Sequence, residues 1–165
     1  MSKVMTLTQA VKLAKEVRGR GMMFQGWNRL VTTNGCFSVL HVGHVDLLQN
    51  ARKLGGCLIV LVNSDKSLPK HVDFKSIVTQ SARAKILAAL SCVDAVVIFD
   101  EPNPIRALSR LRPDIHVKGG DYNANELPEK DIVHKHGGCV VTIAHKHNES
   151  SSRIIARAKK VPPKH

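Results

Sequence analysis

Residues 57–62 read Cys-Leu-Ile-Val-Leu-Val, an apolar run rich in β-branched side chains with no polar residue inside it. A strand with one wet face alternates apolar and polar positions, so a run without alternation belongs to a strand buried on both faces. Such a strand needs helices above and below it. Four more strand-like runs, at 29–33, 94–99, 114–117 and 139–143, are separated from one another by stretches with helical spacing. Aromatic residues make up only 4% of the chain, which leaves Val, Ile, Leu and Ala to fill the core.

The helical stretches are bounded by ordinary start and stop signals. From Met5 to Arg20, the residues Leu7, Ala10, Val11, Leu13, Ala14 and Val17 fall on one face, with Thr6 and Thr8 as candidate N-caps. Further helices are predicted from about Gly43 to Leu54, from Thr79 to Leu90, from Asn103-Pro104 to Arg112-Pro113, from Leu127 to His136, and from Glu149 to a point before Pro162-Pro163. Strands alternating with helices predict an α/β fold: a Rossmann-like, doubly wound, five-stranded parallel sheet with helices on both faces. The 165 residues suit one domain, with 1–28 as N-terminal helix and connector and 159–165 as a basic tail. Trp27, the single tryptophan, is read as a buried anchor in preference to a base-stacking platform.

Lys and Arg number 25 against 13 Asp and Glu, a formal charge of +12 that favours anionic partners. The basic residues are spread along the chain, and one Trp with one Tyr offers few stacking platforms, which argues against nucleic acid. No apolar run is long enough to span a bilayer, and a cytoplasmic, membrane-free protein is expected. Cys36, Cys57, Cys92 and Cys139 are scattered without C-x-x-C spacing and are read as reduced, buried or turn thiols. The pairs His134/His136 and His145/His147 have no cysteine or carboxylate to complete a tetrahedral set, so no protein metal site is assigned.

The stretch Thr33 to Gly55 carries the chemistry. A strand end leads into a small-residue turn at Asn34-Gly35-Cys36, then His41 and His44, then an amphipathic helix. A glycine after a strand lets backbone approach an anion, and a helix N-terminus supplies free N–H groups and partial positive charge. Two imidazoles there add donors for phosphoryl oxygens. The turn is neither a P-loop nor a dinucleotide fingerprint. Asn63-Ser64-Asp65 follow the buried strand, at the sheet edge where ligands bind in open α/β folds. The basic loop 66–78, with Lys66, Lys70, His71 and Lys75, suits a lid over phosphates.

The pattern G-C-F-S-x-x-H-x-G-H resembles the nucleotidylyltransferase superfamily signature G-x-F-D-x-x-H-x-G-H. The resemblance narrows to the heptose-1-phosphate adenylyltransferase branch through T-N-G-C-F at 33–37, H-V-G-H at 41–44, N-A-R-K-L-G at 50–55, V-N-S-D at 62–65, V-K-G-G-D-Y at 117–122 and S-S-S-R-I-I at 150–155. It implies transfer of a nucleotidyl group from ATP to a sugar phosphate, with loss of pyrophosphate. His41, His44 and Lys70 would then be catalytic. Thr33, Asn34, Gly35, Cys36, Phe37, Arg83, Lys118, Gly119, Asp121, Ser151, Ser152 and Arg153 would bind the nucleotide. Ser38, Asn63 and Asp65 would face the acceptor. Mg²⁺ is the expected cofactor, bound mainly through substrate phosphates, and the partners are a nucleoside triphosphate and a phosphorylated small molecule.

Three departures bear on this reading. Ser38 stands where the family has aspartate, Ser152 stands for threonine, and 75–79 lack the branch's R-P-x-N-P pattern. They touch substrate identity more than reaction type. A CTP-dependent enzyme of the glycerol-3-phosphate type and a basic binding module without catalysis stay open, as does association into a homo-oligomer.

Overall fold

A computed structural model describes residues 2–19, 28–68, 77–120, 127–144 and 149–160. Trp27, Lys70, Asp121, His145, His147 and the end of the basic tail lie outside the described residues. Five parallel strands, β1 (Leu30–Gly35), β2 (Cys57–Asn63), β3 (Ala95–Phe99), β4 (Ile115–Gly119) and β5 (Cys139–Ile143), form one sheet in the order β3-β2-β1-β4-β5. This is the doubly wound, Rossmann-like arrangement predicted above.

The helices are α1 (Leu7–Arg18), α2 (Val42–Arg52), α3 (Gln80–Ala88), α4 (Ile105–Leu111), α5 (Glu129–Lys135) and α6 (Ser151–Ala158). The first five divide between the two sheet faces. Leu30, Ile59, Leu61, Val97 and Phe99 pack against Ala10, Ala14 and Val17 of α1, Leu108 of α4 and Val133 of α5. The alternate residues Val31, Leu58, Val60, Val62, Val96 and Val117 pack against Leu48 and Ala51 of α2 and Leu87 of α3. All seven residues of β2 are buried, because β2 lies inside the sheet with apolar side chains on both faces.

Several boundaries differ from the sequence expectation. Of the two candidate caps, Thr6 starts α1, in a capping box with Gln9, and Thr8 lies within the helix. Residues 3–5 pair with Val96 at the β3 edge, a contact with no local signal. Asn34 and Gly35, read as a turn, continue β1 because β2 pairs them with Leu61 and Val62. Lys118 and Gly119 continue β4 beside Thr142 and Ile143 for the same reason. Pro104 is the N-cap of α4, not a first-turn residue. Cys139 is exposed, because β5 is an edge strand; the four thiols are free. No helix among the described residues is long and apolar enough to cross a membrane.

Candidate active site

The chain reverses direction across the sheet between β1 and β4. Connections from β1 run outward through β2 to β3, and the chain then returns to β4 on the other side. In such sheets a crevice opens at the carboxyl ends of the strands beside the reversal. Here those ends are Asn34-Gly35 and Lys118-Gly119.

Beyond Gly35 the backbone turns sharply, with Phe37 in the left-handed region at φ 49°. The Phe37 ring folds back so closely that a Cβ on Gly35 would lie 3.1 Å from it. Its other neighbour is His44, at 4.9 Å between ring centroids. His41 occupies the N-cap position of α2 in extended conformation, and its side chain makes no capping bond. The His41 and His44 rings stack at 3.8 Å with 27° between planes. A Cβ on Gly43 would lie 3.2 Å from the His41 ring and 3.8 Å from the Glu149 carbonyl. The glycine of H-V-G-H therefore lets the imidazole and the approach to α6 sit tightly against the first turn of α2.

That contact brings a second helix N-terminus to the site. Ser150 caps α6 by accepting from the Arg153 backbone N–H. Ser151 Oγ donates to the Val39 carbonyl at 3.2 Å, tying α6 to the segment just before His41. Ser152 and Arg153 are exposed on the first turn of α6. Two helix starts and two imidazoles are thus gathered beyond the carboxyl end of β1, an arrangement suited to a polyanion.

On the β4 side, Lys118 Nζ donates to Asn34 Oδ1 at 3.0 Å and to Glu129 Oε1 at 2.8 Å. Glu129, the first residue of α5, was not singled out by its sequence context. Burial alone would push its carboxyl up, but the hydrogen bond and charge of Lys118 hold it below the usual carboxylate range. Beneath them, Thr32 Oγ1 lies 2.8 Å from His116 Nδ1 with both residues fully buried. Burial, reinforced by the Lys118 charge, depresses the His116 pKa to about 3.

Arg83 lies on the other side of β1, and its side chain is 1% exposed. Its guanidinium donates to the carbonyls of Cys36 and Val78 and to Asp65 Oδ1 at 2.7 Å. It braces the turn after β1 against α3 and is not open toward the crevice. Burial would raise the Asp65 carboxyl; the Arg83 and Gln80 hydrogen bonds and the Arg83 charge outweigh that and lower it. Burial raises the Cys36 thiol, against the pull of Arg83 and Lys118.

Other expected contacts are also engaged internally. Thr33 is buried with its hydroxyl on the Val117 carbonyl at 2.8 Å, a tie between strands. Asn63 is buried and donates to the Ser67 carbonyl. Ser38 is buried, and its hydroxyl has no partner among the described residues. Among the described residues the donor set does not fit a protein-held divalent ion. Asp65 and Glu129 are engaged by cations, Ser38 offers no carboxylate, and no three His, Cys, Asp or Glu group together among the described residues.

Comparison with known proteins agrees with this geometry. Residues 32–157 match the family described as cytidylyltransferase-like. The bifunctional protein HldE of Streptomyces coelicolor is 48% identical over 130 residues, covering 78% of this chain and 28% of that protein. HldE of Geotalea uraniireducens is 41% identical over 157 residues, 94% of this chain and 31% of that protein. The chain thus spans roughly a quarter to a third of the length of these relatives. A lipopolysaccharide core biosynthesis protein of solved structure from Thermoplasma volcanium superposes with a TM-score of 0.60 at 26% identity, covering 73% of this chain and 98% of that one. The pantoate-beta-alanine ligase of Francisella tularensis shares the fold, with a TM-score of 0.57 at 13% identity, covering 96% of this chain and 77% of that one. The matched segment holds the H-V-G-H pair, the β1–β4 crevice and nearly all of α6, and the chain belongs to the cytidylyltransferase-like family of nucleotidyltransferases.

Proposed function

We propose that this chain transfers the adenylyl group of magnesium-bound ATP to a sugar phosphate such as heptose-1-phosphate, releasing pyrophosphate. The observation that carries the reading is the meeting of two helix N-termini beside the β1–β4 crevice. The stacked pair His41 and His44 opens α2, and the serine-rich start of α6 is tied to the same segment by the Ser151–Val39 bond.

In this reading a phosphate oxygen of the sugar phosphate attacks the α-phosphorus of ATP. A new P–O bond forms, the bond from the α-phosphorus to the bridging oxygen breaks, and its electron pair leaves with pyrophosphate. The nucleophile is already an anion, so no protein base is required. Catalysis then consists of alignment and charge stabilisation. His41 and His44 donate to oxygens around the reacting phosphorus. The N–H groups and hydroxyls at the start of α6, with Arg153, hold the departing phosphates. Lys118 adds positive charge from the β4 side. Lys70 and Asp121, which lie outside the described residues, keep the catalytic and nucleotide-binding roles expected for them from the sequence. Magnesium enters with the triphosphate, and no step is assigned to a protein-held ion.

Pyrophosphate release tests this directly, with ATP and CTP each paired with heptose-1-phosphate and with glycerol-3-phosphate. Release is expected with ATP and the heptose. His41→Ala should lower kcat by about 10²–10³-fold, the range for losing a donor to transition-state charge, with an unchanged circular dichroism spectrum. Release with CTP alone would reassign the base, and no release with any pair would sink the reading.

A further inference from the structure

The ion pair at the carboxyl end of β4 is more buried than its position at a crevice requires. The Lys118 side chain is 17% exposed and that of Glu129 is 5% exposed. Burying an ammonium and a carboxylate together removes both from water, and their attraction often fails to repay the desolvation. A lysine needed only for charge near a phosphate would do as well on the surface, at lower cost.

The geometry around Nζ shows what the burial achieves. An ammonium has three N–H donors. Two are taken, by Glu129 Oε1 from α5 and by Asn34 Oδ1 from β1, and the third has no partner among the described residues. Those two anchors come from separate elements and fix the direction of a side chain that otherwise has large rotamer freedom. Asn34 immediately precedes the turn that leads to His41, so the lysine is referenced to the same backbone as the imidazole pair. Ordering the cation before the ligand arrives lowers what binding must overcome.

We propose that Glu129 is a positioning residue, which holds Lys118 aimed so that its remaining N–H meets a phosphate oxygen of the nucleotide. This rests on reading the β1–β4 crevice as the nucleotide site. Glu129 does not touch substrate; it acts through Lys118.

The test combines ATP titration calorimetry and steady-state kinetics on the wild type, Glu129→Gln, Lys118→Met and the double variant. Glu129→Gln should weaken ATP binding and raise its KM by about tenfold, with kcat changed by less than about threefold. In the Lys118→Met background, Glu129→Gln should have no added effect on ATP binding. An equal effect with and without Lys118, or an unchanged ATP KM, would overturn the inference while leaving the crevice reading intact. A wild type that neither binds nor turns over ATP would overturn both. Should Glu129→Gln not fold, Glu129→Asp keeps the charge but shortens the reach. It should give a KM between wild type and Lys118→Met, and a wild-type KM would count against positioning.

Discussion

Arg83 and Lys118 are both cations beside the end of β1, and both match positions expected to hold the nucleotide. The structure uses them in opposite ways. Arg83 is buried, with its guanidinium divided among two backbone carbonyls and Asp65, so its charge is absorbed into the scaffold. Among the described residues, Lys118 has two partners, Asn34 and Glu129. A planar fork with five donors suits a brace between loops, whereas a compact ammonium on a long stem suits a contact that must be aimed. The comparison separates a cation spent on bracing the turn from one that, in the proposed reading, meets the nucleotide.

Removing the brace should have the largest effect. Arg83→Met leaves the Cys36 and Val78 carbonyls without a buried donor, and it should cost about 2–4 kcal/mol of stability. Asp65 is exposed and contributes little to that loss. Denaturant unfolding should show a lower midpoint with unchanged slope. A variant as stable as the wild type would mean that Arg83 is not structural.

The Lys118 side has its own buried group in His116. Its folded pKa, near 3, lies below the ordinary 6.5, so unfolding takes up a proton between those values and stability falls as pH drops through that window. Between about pH 6.5 and 4.5 the wild type should lose about 2–3 kcal/mol from this group. His116→Gln should flatten that part of the curve. Equal slopes in the two proteins would show that the imidazole already titrates normally in the fold.

Much of this was legible in the sequence because it is local. The unbroken apolar run 57–62 identified a doubly buried strand, and residues 139–143 matched β5 to the residue. The H-V-G-H and serine motifs pointed to two helix starts. What could not be read locally was set by neighbours in space. Asn34-Gly35 looks like a turn and Lys118-Gly119 lie past the apolar run 114–117, yet flanking strands hold both pairs in the sheet. Arg83 looks like a ligand residue until α3 turns it inward. Glu129 carries no motif of its own; it matters because α5 lies over the face of β4 that bears Lys118.

Gly43 gives the smallest expected effect on stability and the sharpest on geometry. A Cβ there helps the helix backbone but presses on the His41 ring, 3.2 Å away. Gly43→Ala should change stability by less than about 1 kcal/mol. Activity should fall several-fold, because the ring must shift by a few tenths of an ångström. Full activity would show that the placement of His41 tolerates such a shift.

The most direct measurement is a crystal structure with a non-hydrolysable ATP analogue. The account predicts the phosphates between the His41/His44 pair and the first turn of α6, with Lys118 Nζ bonded to a phosphate oxygen and Arg83 still on Cys36 and Asp65. Phosphates held by Arg83 with Asp65 displaced, or bound away from the β1–β4 crevice, would contradict it.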